Sequence, residues 1–487
     1  MIRVRQERIP EDAFMEMRKE VLAIWPTGKE VDLEEAVQYQ LGLPDSKRFH
    51  KVLQRIHDEG RISLFPRQGT PLLEDEIALI RSLNELDIHL LPFTTDSYTR
   101  NLQLDKVERG LQESVRTGRP ALNGWPIINH GVKTNRRVVE ACDGALDPRS
   151  SRIGQSMVAE IAFASGMNAF PNSFFGWIAG YDKKATVEEC IETAQYTGRL
   201  IGYYADHGVI ITTDCHGWLP NFVIPMSVNM ATQIIESLIS AKQGVKSVFP
   251  QVNIQGCLTQ DLADMRVLPR LMRQYLDRFG HGDVIIPGVF GSQSPLYPFP
   301  QELGSAFGYI GYTAMTAALG GVDVCSVKTV DEAAGVPSED SHRESYRAAQ
   351  WIFGVMKDQS FEVDNEAIHR EEEVAAAEVT AILEKVLELG DGDVAVGTVR
   401  AVEAGVLDSP FSINIHTADQ VLGIKDSEGI TRYLDFGNLP IPEDIKDFHR
   451  QRVAEREMAE GRKLDYYAAI EDFWAISKGG LKGVAGR

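Results

Sequence analysis

The fold is decided by the stretch Ile62-Ser63-Leu64-Phe65-Pro66-Arg67. Its apolar residues have the length and composition of a buried strand, and the proline ends that strand because it cannot donate a ladder hydrogen bond. Beyond it, Leu73, Ile77 and Ile80 recur at helical spacing, and a second apolar run covers residues 88–93. A strand, a helix and a strand in this order predict a β/α unit of a parallel sheet.

The same alternation continues through the middle of the chain. The strand candidates are residues 62–65, 88–93, 121–128, 144–146, 168–170, 209–212, 247–252, 284–290 and 322–327. Repeated β/α units over roughly 270 residues favour a closed (β/α)8 barrel of the TIM type, by the usual size of that fold. Nine candidates compete for eight places, so one of these predictions is wrong.

The regions before and after the repeats differ from them. Helical patterns cover Glu11–Trp25 and Asp32–Leu41, and the second opens with an aspartate followed three positions later by a glutamate, as in a capping box. The charge-rich stretch Asp358–Glu373 is either a linker or a solvated helix face, and a helix over Glu373–Leu389 follows it. We therefore expect an N-terminal helical segment, a barrel and a smaller C-terminal α+β region, with boundaries at 1–60, 61–357 and 358–487.

Composition restricts the class of protein. A formal net charge of -20 disfavours nucleic acid as a partner, because nucleic-acid binders concentrate Lys and Arg. The N-terminus lacks an apolar signal segment, and no apolar run is long enough to span a membrane. The odd number of cysteines without metal-site spacing predicts buried thiols in a cytoplasmic protein. These cysteines are Cys142, Cys190, Cys215, Cys257 and Cys325.

Three arginines follow predicted strands, where barrel enzymes build their active sites. They are Arg67, Arg100 and Arg149. A guanidinium is a planar fork matched to a carboxylate, so convergence of the three would suit a small dicarboxylic acid. The alternative, that they are solvated or in surface ion pairs, stays open. Likewise Gly69, Asn123 and Gly180 either admit a ligand close to the backbone or are turn residues.

Several short motifs resemble the large (epsilon) chain of glutamate mutase, also called methylaspartate mutase. The resemblance extends from about Glu11 to Gly483. The motifs are Trp25-Pro26-Thr27-Gly28-Lys29-Glu30-Val31-Asp32, Tyr98-Thr99-Arg100, Leu122-Asn123-Gly124, Gly131-Val132-Lys133, Lys328-Thr329, Glu332-Ala333, Leu389-Gly390-Asp391-Gly392-Asp393, Gly397-Thr398-Val399 and Phe436-Gly437-Asn438.

The resemblance implies an isomerase that uses adenosylcobalamin to interconvert L-glutamate and 3-methylaspartate. In that family the cobalt-carbon bond of the cofactor supplies the radical, and a small Asp-x-His-x-x-Gly subunit supplies the cobalt ligand. Here Asp87-Ile88-His89 and Asp214-Cys215-His216 both lack the required glycine, so we expect them in the barrel wall. The resemblance thus implies no metal ligand on this chain, a small cobalamin-binding partner and a dimer of large chains, that is, a heterotetramer.

The resemblance also assigns residues one at a time. The family's substrate-clamping arginines fall on Arg67, Arg100 and Arg149, and a substrate-binding tyrosine falls on Tyr181. Its cofactor contacts fall on Gly69, Asn123, Gly180, His216, Phe299, Lys328, Glu332 and Val336. Lys328 and Glu332 are expected near the adenosyl ribose.

The departures lie where the amino group of glutamate is held. In the family a glutamate side chain binds this amino group, and the corresponding residue here is Pro171. The family's first substrate-binding tyrosine is Trp177 here, and its glycine-rich loop reads Asn172-Ser173-Phe174-Phe175-Gly176. A phenylalanine near the substrate is His216, and the segment after the clamp arginine reads Ser150-Ser151-Arg152-Ile153. A buried ammonium without an anionic partner costs several kcal/mol.

Glu160 or Asp214 is a candidate replacement for that missing anion. The leading hypothesis is a mutase that acts on a dicarboxylic acid, by default L-glutamate. The alternatives are a 2-oxo, 2-hydroxy or modified amino-acid substrate, or a barrel that binds the cobalamin subunit without turnover. An unrelated lyase or hydrolase would need a metal cluster or an acid/base pair, and the sequence offers neither.

Overall fold

The computed structural model describes residues 2–150, 154–294, 296–334, 338–359 and 363–483. Eight parallel strands occupy its centre. They are β1 (Ser63–Leu64), β2 (Leu90–Thr94), β3 (Ala145–Arg149), β4 (Ala169–Pro171), β5 (Thr212–Cys215), β6 (Ser247–Ile254), β7 (Phe290–Gln293) and β8 (Val324–Ser326). Six of them form one curled sheet in the order β1-β8-β7-β6-β5-β4, and β2 pairs with β3.

The predicted α/β class is confirmed, but a complete eight-stranded ladder is not observed. Among the described residues, no ladder joins β3 to β4, and a single bridge between Gln68 and Phe93 links the segment after β1 to β2. Proline explains part of the interruption, because Pro148 in β3 and Pro171 in β4 have no N–H to donate.

The strand prediction at residues 121–128 was the wrong one. That segment makes only an isolated bridge, at Trp125, and then enters a helix just after Pro126. Each of the other eight candidates overlaps a strand. β5 and β7 begin at the last residue of their predicted runs, and before β7 only an isolated bridge, between Ile285 and Ser247, continues the pairing.

Helices surround the strands on the outside. Those before and between the strands are α1 (Glu11–Leu22), α2 (Leu33–Leu41), α3 (Phe49–Asp58), α4 (Leu73–Asn84), α5 (Ser97–Arg100), α6 (Leu104–Thr117), α7 (Ile127–Ala141), α8 (Gln155–Ala164), α9 (Phe175–Gly180), α10 (Val187–Asp206), α11 (Ser227–Gln243), α12 (Leu258–Arg278), α13 (Leu303–Leu319) and α14 (Glu339–Lys357). The predicted cap of α2 is observed, since Asp32 Oδ1 accepts from the Glu35 N–H at 3.0 Å.

The C-terminal part combines helices with one hairpin. Its elements are α15 (Glu366–Leu389), α16 (Val394–Glu403), the antiparallel strands β9 (Val421–Lys425) and β10 (Thr431–Phe436), α17 (Glu443–Glu460) and α18 (Tyr466–Ala475). Short 3-10 turns cover Pro26–Glu30, Asp45–Lys47, Glu332–Ala334 and Ile476–Lys478.

The second half of the charge-rich stretch before residue 373 is helical and partly buried. Its residues 366–373 form the first turns of α15, which begins seven residues earlier than predicted. Glu371 is buried and forms two hydrogen bonds with the Arg432 guanidinium, at 2.6 and 2.7 Å. Neither predicted role, a linker or a solvated helix face, is correct for Glu371, because it is buried and its bonds to Arg432 connect α15 to the hairpin.

Helix α3 closes the amino-terminal end of the strands. Its Phe49 packs edge-on against Phe65 and Phe249. The cluster that it joins contains residues of six strands, Leu90, Ala145, Ala169, Phe249, Phe290 and Val324. Because apolar side chains seal this end, polar chemistry is left to the opposite, carboxyl end.

Two further expectations can be compared with the structure. All five cysteines are buried and unbridged, as predicted. Among the described helices, none combines the length and the apolar character needed to cross a membrane.

Candidate functional site

A cavity of about 260 Å³ lies at the carboxyl ends of the strands. Its lining includes Arg67 after β1, Ser292 and Gln293 at the end of β7, Ser326 at the end of β8, and also Tyr181, Lys328, Glu332, His342 and Tyr346. This is the end at which parallel β/α folds bind ligands, because the loops leaving the strands are free to vary there.

Arg149 lies beside this cavity in a buried ion cluster. Its Nη1 is 2.9 Å from Asp147 Oδ2 and 2.6 Å from Asp214 Oδ2. Burial alone would lower the pKa of Arg149, but Asp214 and Asp147 outweigh burial and raise it. Burial tends to raise the pKa of Asp214, but Arg149 and His216 lower it to about 2. Arg149 and Asp214 are therefore both charged in the folded protein.

Arg67 is the less compensated cation. Burial and the nearby Arg149 both lower the pKa of its guanidinium. Its side chain is exposed to the cavity, and no carboxylate in the described part of the chain forms an ion pair with it. Asp214 and Asp147 partly oppose this shift, and Tyr181 lines the same cavity. A cation that faces a cavity without a paired carboxylate favours an anionic ligand.

Arg100 ends α5, the short helix beyond β2. Its carbonyl accepts from the Gly154 N–H at 3.1 Å, which ties this loop to the start of α8. The structure brings Arg67 and Arg149 together with Tyr181, and convergence of Arg100 with them stays a prediction.

The divergent positions border the same ion cluster. Pro171 ends β4 in register with Asp214 of β5. His216 follows β5, and its Nδ1 is 3.6 Å from Asp214 Oδ2. Burial lowers the pKa of His216, while Asp214 opposes that shift. Trp177 is buried in α9, and its Nε1 has no hydrogen-bond partner among the described residues.

The two candidate replacement anions lie in different places. Glu160 is on α8, 2.8 Å from Arg18 and hydrogen-bonded to the Tyr196 hydroxyl at 2.6 Å, away from the strand ends. Asp214 lies in the ion cluster, where Arg149 already engages it. Arg152, another divergent position, lies outside the described residues.

The glycine and asparagine positions have different explanations. Gly69 has a φ of +151°, and a Cβ there would lie 2.8 Å from the Thr94 carbonyl oxygen, so packing of the protein itself requires this glycine. Asn123 Oδ1 accepts from the Ser97 N–H at 2.9 Å, at the start of α5. A Cβ at Gly180, in contrast, would meet nothing within 4 Å. Gly180 is thus where a ligand or partner has room.

Three of the residues expected near the cofactor, Lys328, Glu332 and Phe299, lie close together. Lys328 Nζ is 3.6 Å from Glu332 Oε1, donates to the Tyr297 carbonyl at 3.3 Å and is 5.9 Å from the Phe299 ring centre. Burial lowers the pKa of Lys328, and Glu332 partly opposes this. Val336 lies outside the described residues.

The two Asp-x-His segments lie at opposite ends of the strands. Asp87 and His89 interact at 2.8 Å before β2, at the amino end, whereas Asp214 and His216 belong to the ion cluster. Asp214 and Cys215 belong to β5, in line with the expected place in the wall of strands, and His216 follows directly. No group of three metal-ligating side chains occurs in the described part of the chain.

Sequence reasoning missed Asp147 as a member of the site. It precedes Arg149 by two residues in β3, so the two side chains lie on the same face of the strand. That alternation was a usable signal. His342 and Tyr346 come from α14 beyond the last strand, and no local pattern marks them.

The fold and the site define a class of protein, an α/β protein with a cavity at the carboxyl ends of parallel strands that is lined in part by Arg67 and Lys328. A profile of the family described as "Methylaspartate mutase E chain (MutE)" matches residues 43–485. The chain is 36% identical to the "Glutamate mutase epsilon subunit" of Treponema denticola over 99% of both proteins, and 38% identical to that of Desulfitobacterium hafniense over 97% of both. The protein of the same name from Haloarcula marismortui is 33% identical over 99% of this chain and 96% of its own length.

The chain therefore belongs to the family of glutamate mutase (methylaspartate mutase) large subunits. It is an isomerase of the carbon-skeleton mutase type.

Proposed function

We propose that this chain is the large subunit of an adenosylcobalamin-dependent mutase that rearranges a dicarboxylic acid, by default L-glutamate to 3-methylaspartate. The observation that carries the proposal is Arg67, a guanidinium without an ion-pair carboxylate among the described residues, which lines the same cavity as Tyr181. One carboxylate of the substrate binds Arg67, and Arg100 and Arg149 complete the clamp. Enclosure strengthens these ion pairs by keeping water out.

The residues around the cavity fit the cofactor. Lys328 donates to an oxygen of the adenosyl ribose, and the Glu332 carboxylate accepts from its hydroxyl groups. Gly180 leaves room for a bulky neighbour, and Asn123, Phe299 and His216 are further contacts. When bound, adenosylcobalamin supplies the radical chemistry, and this chain supplies binding, orientation and exclusion of water.

The partner is a small Asp-x-His-x-x-Gly subunit that brings the cobalt ligand, and two large chains and two small ones form a cytoplasmic heterotetramer. Relatives of this chain are named epsilon subunits, which supports a multi-subunit enzyme. The eight strands close into one (β/α)8 barrel between the N-terminal segment and the C-terminal region. The shared cluster of Phe49 with residues of six strands supports that closure.

A second candidate substrate is a dicarboxylate without a free α-ammonium group, such as a 2-oxo or 2-hydroxy acid. Pro171 offers no anion, and Asp214 is already engaged by Arg149. The Trp177 indole N–H is a donor without a partner in the described structure, which suits an oxygen acceptor better than an ammonium group.

Electron paramagnetic resonance tests the proposal. The chain is combined with its small cobalamin subunit and adenosylcobalamin, and L-glutamate, 2-oxoglutarate and 2-hydroxyglutarate are added in turn. A coupled cob(II)alamin and organic radical signal with L-glutamate establishes the default substrate. A signal with another acid alone establishes the second candidate. Silence with every acid, in a complex shown to form, contradicts the mutase proposal and leaves a barrel that only binds its partner.

A further inference from the structure

Helix α11 carries a buried polar face, which is unusual for a helix packed inside an α/β protein. The residues of this face are Asn229, Thr232, Gln233, Glu236 and Ser240. Their hydrogen bonds go mainly to the loops at the carboxyl ends of β4 and β5. The Asn229 amide donates to the His216 carbonyl at 2.8 Å, and Ser240 Oγ accepts from the Asn172 side chain at 3.0 Å.

Glu236 connects the two loops through a single carboxylate. Its Oε1 accepts from the Ser173 hydroxyl at 2.9 Å and from the Phe175 N–H at 2.8 Å. Its Oε2 accepts from the Gly217 N–H at 2.9 Å. The side chain is fully buried, so no water competes for these bonds. One oxygen therefore holds the loop after β4 and the other holds the loop after β5.

The family resemblance assigns two divergent substrate-binding positions to these loops. The first loop leads into α9 with Trp177, and the second carries His216, whose Nδ1 is 3.6 Å from Asp214 of the ion cluster. Gly176 packs against the His216 ring, because a Cβ added at this glycine would lie only 3.0 Å from His216 Nε2. Packing without room for a Cβ makes the relative position of the two loops sensitive to shifts of a few tenths of an ångström.

We propose that Glu236 is a positioning residue that holds Trp177 and His216 in one arrangement and thereby sets which dicarboxylic acid the pocket accepts. The inference rests on the proposed mutase function. Both oxygens of Glu236 accept hydrogen bonds in this geometry, which is what an ionised carboxylate offers. Burial raises the pKa of the Glu236 carboxyl to about 8, while the bonds from Phe175, Ser173 and Gly217 oppose that shift. In Glu236→Gln, the amide nitrogen must face an N–H of one loop, so that loop loses its anchor and meets a second donor.

The test uses the full chain assembled with its small subunit and adenosylcobalamin, and compares Glu236→Gln with Glu160→Gln. Glu160 is the matched control because it is equally buried and multiply hydrogen-bonded, but it contacts Arg18 and Tyr196 instead of the loops. Hydrogen exchange is measured in peptides covering residues 172–178 and 214–219. The ratio of kcat/KM for L-glutamate to that for 2-oxoglutarate is measured in parallel.

In Glu236→Gln we expect faster exchange in at least one of the two loops and a change of about tenfold in the kcat/KM ratio, expressed mainly in KM. Glu160→Gln should leave the ratio within about twofold of the wild type and speed exchange only near α1 and α8. Unchanged loops in Glu236→Gln, or equal changes of the ratio in both variants, would overturn the inference.

If the wild type turns over neither acid, that result contradicts the mutase proposal but not the proposed role of Glu236. The role of Glu236 is then tested by hydrogen exchange in the two loops and by the affinity for glutarate, measured by calorimetry. Should Glu236→Gln fail to fold, Ser173→Ala removes one bond to the first loop. Faster exchange confined to residues 172–178 supports the inference, and unchanged exchange there contradicts it.

Discussion

The two ends of the parallel strands differ in a way that cavity size does not reveal. The amino end has the larger cavity, about 570 Å³, compared with about 260 Å³ at the carboxyl end. At the amino end the charges pair with each other, His57 with Asp323 at 2.8 Å and Arg61 with Asp87 at 3.1 Å, and the His57 and Asp87 side chains are well exposed. At the carboxyl end Arg149, Asp147 and Asp214 are buried together, and Arg67 has no ion-pair carboxylate among the described residues. A charge without a paired counter-charge is thus a better guide to a binding site than cavity size.

The largest expected effect concerns Arg149. Replacement by Met leaves Asp147 and Asp214 buried without their cation, so Arg149→Met should lower the free energy of unfolding by about 3 to 5 kcal/mol. The matched change at the amino end, Arg61→Met, removes partly exposed pairs and should cost about 1 kcal/mol or less. Urea unfolding measures both, and equal losses would abolish the contrast between the two ends.

Arg67→Met should retain the fold and lose function. A charge-assisted bond to a carboxylate is worth about 3 kcal/mol, so kcat/KM should fall by about two orders of magnitude. Arg67→Lys keeps the charge without the planar fork and should give an intermediate value. Steady-state kinetics of the assembled enzyme measure the series, and kcat/KM unchanged in Arg67→Met would remove this residue from the binding site.

A pH profile distinguishes Lys328 from a lysine at the other end. Because burial lowers the pKa of Lys328, the alkaline limb of kcat/KM should lie below the ordinary lysine value of 10.5. Arginine stays protonated, so Lys328→Arg should move that limb to higher pH. Lys357 lines the amino-end cavity and is exposed, so Lys357→Arg should leave the profile in place. A limb that fails to move in Lys328→Arg would assign it to another group.

The smallest expected effect is at His57. Its ring is mostly exposed, so His57→Gln should change the free energy of unfolding by at most about 1 kcal/mol and leave kcat/KM unchanged. Thermal unfolding and steady-state kinetics check both values. A large loss of turnover would mean that the amino end takes part in function after all.

The sequence predicted most of the fold because local patterns carry it. Apolar runs that end in proline, glycine or a polar residue marked eight strands, and Asp32 marked the start of α2. Residues 121–128 misled the prediction, since Trp125 is buried for packing and Pro126 introduces a helix. The interrupted ladder between β3 and β4 depends on tertiary geometry, which no local pattern contains.

The site was less predictable, because its members come from distant parts of the chain. The arginines, Tyr181, Lys328 and Glu332 were assigned by family resemblance. That Asp147 and Asp214 enclose Arg149 was not foreseen. Asp147 could have been found from its place two residues before Arg149 in β3, whereas Asp214 comes from β5. The proposed anchoring role of Glu236 was not foreseen either, because the spacing of polar residues along α11 does not indicate which loops they contact.

The account depends most on where a dicarboxylate binds. A crystal structure of the assembled enzyme with glutarate, the analogue without an amino group, tests this directly. We expect a carboxylate of glutarate on the Arg67 guanidinium, in the cavity that Tyr181 lines at the carboxyl ends of the strands. Glutarate bound instead in the larger cavity, between Arg61 and Lys357 at the amino ends, would contradict the account.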